Sequence, residues 1–317
     1  MTADVRGVTE APFRTIMGPL ITLWIVWGST YTGIALMVKS MPPLIGSGTR
    51  FIAASLVLGM IVLLVKGPRA FTVTWPQVRG AVFMGVTILG VAIGIVSLAV
   101  RYVPTGIAAL IASVLPLWII LFRLRAGDRP SRLTLIGVGV GLIGLFLILI
   151  PGGTVPISGA SNTQVALWSV AIACGSFCWA FFSWRSTSYQ QPKNPLTTAV
   201  IQLATAGVFL TLVGALIGER WNFDIITQQS WAGWVFLVFA STIAYGAFVW
   251  LINNAPMSLV TTHAYVNPMV AVTLGFLILK EPISLDVVVG LSIVVGGVAL
   301  VVSGERRTRQ LLAEQPQ

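Results

Sequence analysis

Charge is scarce in this chain. Only 9% of its 317 residues are Asp, Glu, Lys or Arg, against roughly 25% in a soluble domain. That is too little to cover a water-facing surface of this size. With a mean hydropathy of +0.92, it excludes a soluble enzyme. Two cysteines are too few for a disulfide framework. The 32 glycines follow no G-X-Y period, so collagen is excluded. No G-x-x-x-x-G-K-[ST] string occurs, which excludes a bound ATPase. What these absences leave is an all-α polytopic membrane protein. The net charge of +10 then reads as membrane topology and gives no reason to expect nucleic acid.

A membrane helix needs about 20 apolar residues. The few charges, with breaks at Pro151–Asn162 and Asn253-Asn254-Ala255-Pro256, divide the chain into ten spans. These are residues 16–38, 43–65, 77–99, 103–123, 132–150, 164–185, 195–217, 231–252, 256–279 and 284–303. They predict a cytoplasmic tail over 1–15, a first repeat over 16–150, an outer linker over 151–163, a second repeat over 164–303 and a cytoplasmic tail over 304–317. With both termini inside, fourteen Lys and Arg fall on the inner side and four on the outer, with Arg50 inside the second span. That bias is a positive-inside signal.

A shift of 152 residues superposes Trp27 on Trp179, Pro43 on Pro195, Ala92 on Ala244, Gly94 on Gly246, Pro104 on Pro256 and Pro116 on Pro268. Pro130 falls on Pro282 as well, and with only 17 prolines in the chain four coincident proline pairs at one offset indicate an internal repeat. Each half holds five helices, an odd number. The second half must enter the membrane from the opposite side, which makes the repeats inverted and suits alternating access.

Trp27-Gly28-Ser29-Thr30, then Pro42-Pro43-Leu44 and Arg50-Phe51, resemble the opening of an EamA domain. Pro116-Leu117 and Asn267-Pro268 resemble its fourth helix. Lys280-Glu281-Pro282, with Gly290 and Gly296-Gly297, resembles its ending. The chain is similar to the EamA branch of the drug/metabolite transporter superfamily, and most similar within it to bacterial exporters of aromatic and other amino acids. The resemblance implies a multi-pass inner-membrane protein that exports a small-molecule substrate. In the first half Asp128-Arg129-Pro130 stands where the second has Glu281-Pro282, so that ending is less regular.

None of the nine acidic residues lies deep in a span. The energetics expected are therefore facilitated flow or exchange, without ATP and without a metal or other cofactor. Proton coupling through His263 is the alternative. His263 and Asn267 are four apart on the ninth helix and share a face. With Tyr245 of the eighth helix they form a candidate polar patch, set against a plain helix-packing hydrogen bond. Trp24, Trp27 and Trp179 lie mid-span, where an indole can line a cavity and stack on a ligand. Trp75, Trp221 and Trp231 lie near span ends, as an aromatic belt requires. Pro116 and Pro268 are expected to kink two symmetry-related helices as gating elements. Arg50 is expected to snorkel to the interface, the alternative being contact with a carboxylate or phosphate. Cys174 and Cys178 are expected to be small packing residues. The glycines of the fifth and tenth helices, including Gly137-x-x-x-Gly141, are expected to pack those helices together or against a second protomer, in a monomer or weak homodimer. A membrane-embedded enzyme would need an acid/base or metal cluster, and one histidine does not supply it. An exporter of drugs, nucleobases or sugar derivatives remains the alternative to amino-acid export.

Overall fold

A computed structural model describes residues 12–127, 130–149, 159–185, 188–255, 260, 263–283 and 285–313. Every regular element among them is helical. We number the helices α1 (Phe13–Met37), α2 (Pro43–Lys66) and α3 (Trp75–Ala99, with a π-helical turn at Gly85–Gly90). Then come α4, in two segments, Thr105–Ala112 and Leu115–Arg125, and α5 (Arg132–Leu149). The second half has α6 (Asn162–Arg185), α7 (Pro195–Leu216) and α8 (Gln228–Asn254). It closes with α9 (His263–Leu274, prolonged by a π-helical turn Gly275–Leu279) and α10 (Leu285–Ala313). Eight helices are long and apolar enough to cross a membrane, and two shorter apolar ones, Arg132–Gly144 and Val266–Leu279, bring the set to ten.

Local chemistry places the ends. α2 and α7 begin on proline, whose missing N–H costs nothing in a first turn. The Asn194 side chain caps α7 by accepting from the Leu196 N–H at 3.2 Å. Thr74 and Gln77 cap α3 reciprocally. α2 stops at Gly67, whose φ of +72° suits a residue without Cβ. The helices and the expected spans agree to within a few residues, and the last helix runs on past the end of its span. The C-terminal tail expected from 304 is helical through Ala313. Hydropathy ends at Gly304, but Glu305 to Leu312 is rich in good helix formers, so the helix outlasts its apolar stretch. Most of the expected linker 151–163, the tail before Pro12, Pro256 and Asp128-Arg129 lie outside the described residues.

The helices pair in a pattern that survives exchange of the two halves. α2 packs on α7, α5 on α10 and α4 on α9, each pair mapping onto itself. α1 packs on α8 and α9, and correspondingly α6 packs on α3 and α4. α8 packs on α2, and α3 on α7. Close backbone approach drives the tightest pairs. A Cβ on Gly297 would sit 2.6 Å from Gly141 Cα, and one on Gly137 would sit 2.6 Å from the Val301 nitrogen. The glycines of α5 and α10 therefore pack these helices against each other, as expected. A Cβ on Gly28 in α1 would lie 2.7 Å from Val270 Cβ in α9.

The outside of the bundle is apolar. Leu56 and Leu64 of α2 and Leu212 and Leu216 of α7 are exposed, as a hydrocarbon solvent permits and water does not. Cys174 is exposed on α6 and Cys178 is half-buried. The packing role expected for the pair therefore fails for Cys174, which faces outward from the bundle.

Candidate functional site

The α1–α9 crossing gathers most of the residues that the sequence singles out. Gly28 lets the two backbones approach, and this sets Trp27 directly against α9. The Trp27 and His263 rings stack at 5.2 Å with an interplanar angle of 11°. Phe248 of α8 closes edge-on against both, at 5.4 Å from Trp27 and 6.4 Å from His263. Tyr245, one turn earlier on α8, lies 6.3 Å from Trp27 at a tilt of 40°. With its amide nitrogen turned to α1, Asn267 donates to the Trp24 and His263 carbonyl oxygens, each at 3.2 Å. Asn267 thus ties α9 to the Trp24 backbone, and Trp24 enters the group through its carbonyl.

His263 Nδ1 lies 2.7 Å from the Val260 carbonyl oxygen. A carbonyl only accepts, so Nδ1 carries the proton. In the neutral ring this leaves the Nε2 lone pair for another partner.

Trp179 does not join this group. It packs instead against a cluster containing Leu44, Phe51, Leu89 and Leu203. The repeat places it on α6, which pairs with α3 and α4 rather than with α8 and α9. At a shift of 152 the partners of Tyr245, Phe248, His263 and Asn267 are Ile93, Val96, Ile111 and Leu115. The backbone pairing is symmetric, but these four positions of α8 and α9 are aromatic or polar where their repeat partners are aliphatic.

The two prolines also part company. α4 breaks at Ser113–Val114, and Pro116 falls in the first turn of the new segment, where it disturbs no bond. Pro268 is buried inside α9 and removes a helical hydrogen bond. In place of the expected pair of matching kinks there is one mid-helix proline and one helix start. Sequence shift aligns residue types, whereas the location of a break depends on packing around it.

Two glutamates join the halves at the face where α2 and α4 begin. The Glu219 carboxylate, just past α7, accepts from the Leu44 N–H at 3.0 Å and the Ile45 N–H at 2.8 Å. The Glu281 carboxylate, just past α9, accepts from the Thr105 N–H at 2.9 Å and from the Thr105 hydroxyl at 2.8 Å. Each satisfies orphan donors at a helix N-terminus and opposes its positive dipole end. Burial pushes the Glu281 carboxyl above its ordinary range, and the Thr105 hydrogen bonds partly offset this. A cavity of about 20 Å³ beside Glu281, lined by Pro104, Ile107, Val272 and Val287, has room for one water and not for a metabolite.

Arg50 is a further correction. It is 2% exposed and donates from Nη1 to the Ser241 hydroxyl of α8 at 3.0 Å. It does not snorkel, because it lies on the α2 face that meets α8 rather than on the lipid face. Phe248, Glu219 and Ser241 went unmarked in the sequence. Phe248 had a signal, three residues beyond Tyr245 on the same helical face. The glutamates had none, since the N-termini they cap are more than 170 residues away in the chain.

Ten apolar helices in two exchangeable halves, with an internal aromatic and polar group, define a two-repeat membrane protein of the transporter class. The pattern of the EamA-like transporter family matches residues 17–150 and 166–303, and the chain belongs to that family. It is 34% identical over 299 residues to the Uncharacterized inner membrane transporter YedA of Escherichia coli (strain K12), covering 92% of this chain and 91% of that protein. It is 23% identical over 292 residues to the Uncharacterized transporter YvbV of Bacillus subtilis (strain 168), covering 89% and 90%. Protein PecM of Dickeya dadantii (strain 3937) is 25% identical over 286 residues, covering 87% and 88%. A solved structure titled "Crystal structure of protein" has a TM-score of 0.64 at 19% identity, over 93% of this chain and 99% of that one, and shares the fold. The protein is accordingly a multi-pass inner-membrane transporter and not an enzyme.

Proposed function

We propose that this protein is a secondary exporter of small metabolites, with aromatic or hydrophobic amino acids as substrates. It works by alternating access without ATP hydrolysis. The observation that carries this reading is the one-sided wall of Trp27, Tyr245, Phe248 and His263. The repeat partners of Tyr245, Phe248 and His263 are the aliphatic Ile93, Val96 and Ile111, and Trp179, the partner of Trp27, lies away from the His263 group. An aromatic face with a few polar groups suits a flat or apolar side chain. The two repeats lie inverted in the membrane, with both termini cytoplasmic. The Glu219 and Glu281 contacts are then outer-face latches between the halves, and their release opens the cavity outwards.

The test is exchange in liposomes with a panel of amino acids, for wild type and His263→Ala. Exchange of aromatic amino acids by the wild type, reduced by His263→Ala at unchanged expression, is the expected result. No exchange of any amino acid refutes the substrate class, and unchanged exchange removes His263 from the site. The free Nε2 of His263 favours one second reading, an exporter of drugs or nucleobases coupled to protons. Uphill uptake driven by a proton gradient alone would select it.

A further inference from the structure

Among the described residues, Arg50 lacks the partner that a buried guanidinium needs. It has five N–H donors. Nη1 reaches the Ser241 hydroxyl, and Nε has no acceptor. The Phe51 ring lies 4.1 Å from the guanidinium carbon, which offers some cation–π stabilisation but no countercharge. None of the carboxylates whose side chains are described is free to supply one. Glu219 is held by the α2 N-terminus, Glu281 by the α4 N-terminus, and Asp224 is exposed in the α7–α8 loop. Burying an unpaired charge is costly, and it persists where something else pairs with it.

The surroundings indicate what that is. Trp234, Ser241, Tyr245 and Phe248 follow the i, i+7, i+11, i+14 stripe of one α8 face. Trp234 donates from Nε1 to the Thr49 hydroxyl beside Arg50, at 3.1 Å. Tyr245 and Phe248 meet Trp27. One stripe therefore joins the Arg50 guanidinium to the aromatic wall. Ser241 and Tyr245 are four residues apart, about 6 Å along the helix, which suits the carboxylate and side chain of one amino acid. The repeat partners of Arg50 and Ser241 are Gln202 and Leu89, so this charge is as one-sided as the aromatics.

We infer that Arg50 and Ser241 form the carboxylate-binding end of a two-part site whose other end is the Trp27–Tyr245 aromatic wall. The proposal rests on the exporter reading above and adds the anionic group that its substrates carry. An Arg fork matches a carboxylate with two parallel N–H···O bonds, and Nε with its neighbouring N–H is the unused side of the fork.

The test uses purified full-length protein in phosphatidylcholine nanodiscs, with 3-phenylpropionate and the neutral 3-phenylpropionamide as probes of tryptophan fluorescence. Wild type is expected to bind the carboxylate at least about tenfold more tightly than the amide. Arg50→Gln is expected to lose that preference while still binding the amide. Arg50→Lys is expected to keep the preference at lower affinity, because it keeps the charge and loses the fork. Equal binding of the two probes by wild type overturns the proposal, whether or not Arg50→Gln folds. An intact preference in Arg50→Gln overturns it too, as does loss of probe binding when phosphatidylglycerol is added, which would assign the guanidinium to lipid head groups. If the carboxylate preference depends on Arg50 but no amino acid exchanges in liposomes, the site stands and the exporter reading falls. If exchange occurs and Arg50→Gln leaves it carboxylate-selective, the reading stands and the site falls.

Discussion

Replacing Glu281 by glutamine should loosen one face of the bundle. The carboxylate takes both the N–H and the hydroxyl of Thr105 at the first turn of α4. Hydrogen bonds to a charged group are worth about 1.5–3 kcal/mol each against an unsatisfied alternative, and the helix-dipole contribution adds about 0.3–1 kcal/mol. Glutamine keeps one acceptor oxygen and loses the charge, so a net loss of about 1–2 kcal/mol follows. That shifts a closed–open equilibrium by a factor of about 5–30. The readout is maleimide labelling of Ile107→Cys, a position 2% exposed in α4, with Cys174 and Cys178 replaced by serine. Labelling is measured in right-side-out and inside-out vesicles, so either membrane orientation is sampled. The rate from one side should rise by that factor in the glutamine variant. Labelling that is unchanged in Glu281→Gln and in Glu281→Ala, at normal expression, would refute the latch.

Two further outcomes follow from packing. Gly297→Leu should abolish stable expression, because its Cβ would meet the α5 backbone at Gly141, whereas Gly296→Leu should be tolerated, with nothing within 4 Å of its Cβ; detergent-solubilised yield compares them. Trp27→Ala should cost about 3–5 kcal/mol of stability and raise the substrate KM. Trp179→Phe should leave KM unchanged because it does not touch the His263 group. Equal KM effects from the two tryptophans would refute the one-sided site.

Ten helices and their bounds were legible in the chain because hydropathy and proline act locally, and bilayer thickness turns run length into spans. The α5–α10 glycines were legible for the same reason. Trp27, Tyr245, His263 and Asn267 come together in the structure, and each draws attention in the sequence because polar and aromatic residues are rare inside a membrane. Trp179 was grouped with them by its mid-span depth, and its repeat relation to Trp27 does not bring it to the same group. A sequence shift equates positions, but helix pairing decides which positions face each other, and α6 faces α3 and α4. Pro116 failed in the same way, because the α4 break lies at Ser113–Val114 and is not encoded in the proline.

Length, the paucity of charge and the internal repeat were thus sufficient for the membrane and the helix number, and short motifs for the family resemblance, all of which depend on neighbours in the chain or on totals along it. The fate of single charges was not. Whether Arg50 snorkels or turns inward depends on which face of α2 meets α8. Whether Glu281 is a loop residue or a latch depends on its meeting Thr105 across more than 170 residues of chain. In a bilayer every polar group must find a partner inside the protein, and only the tertiary arrangement assigns those partners.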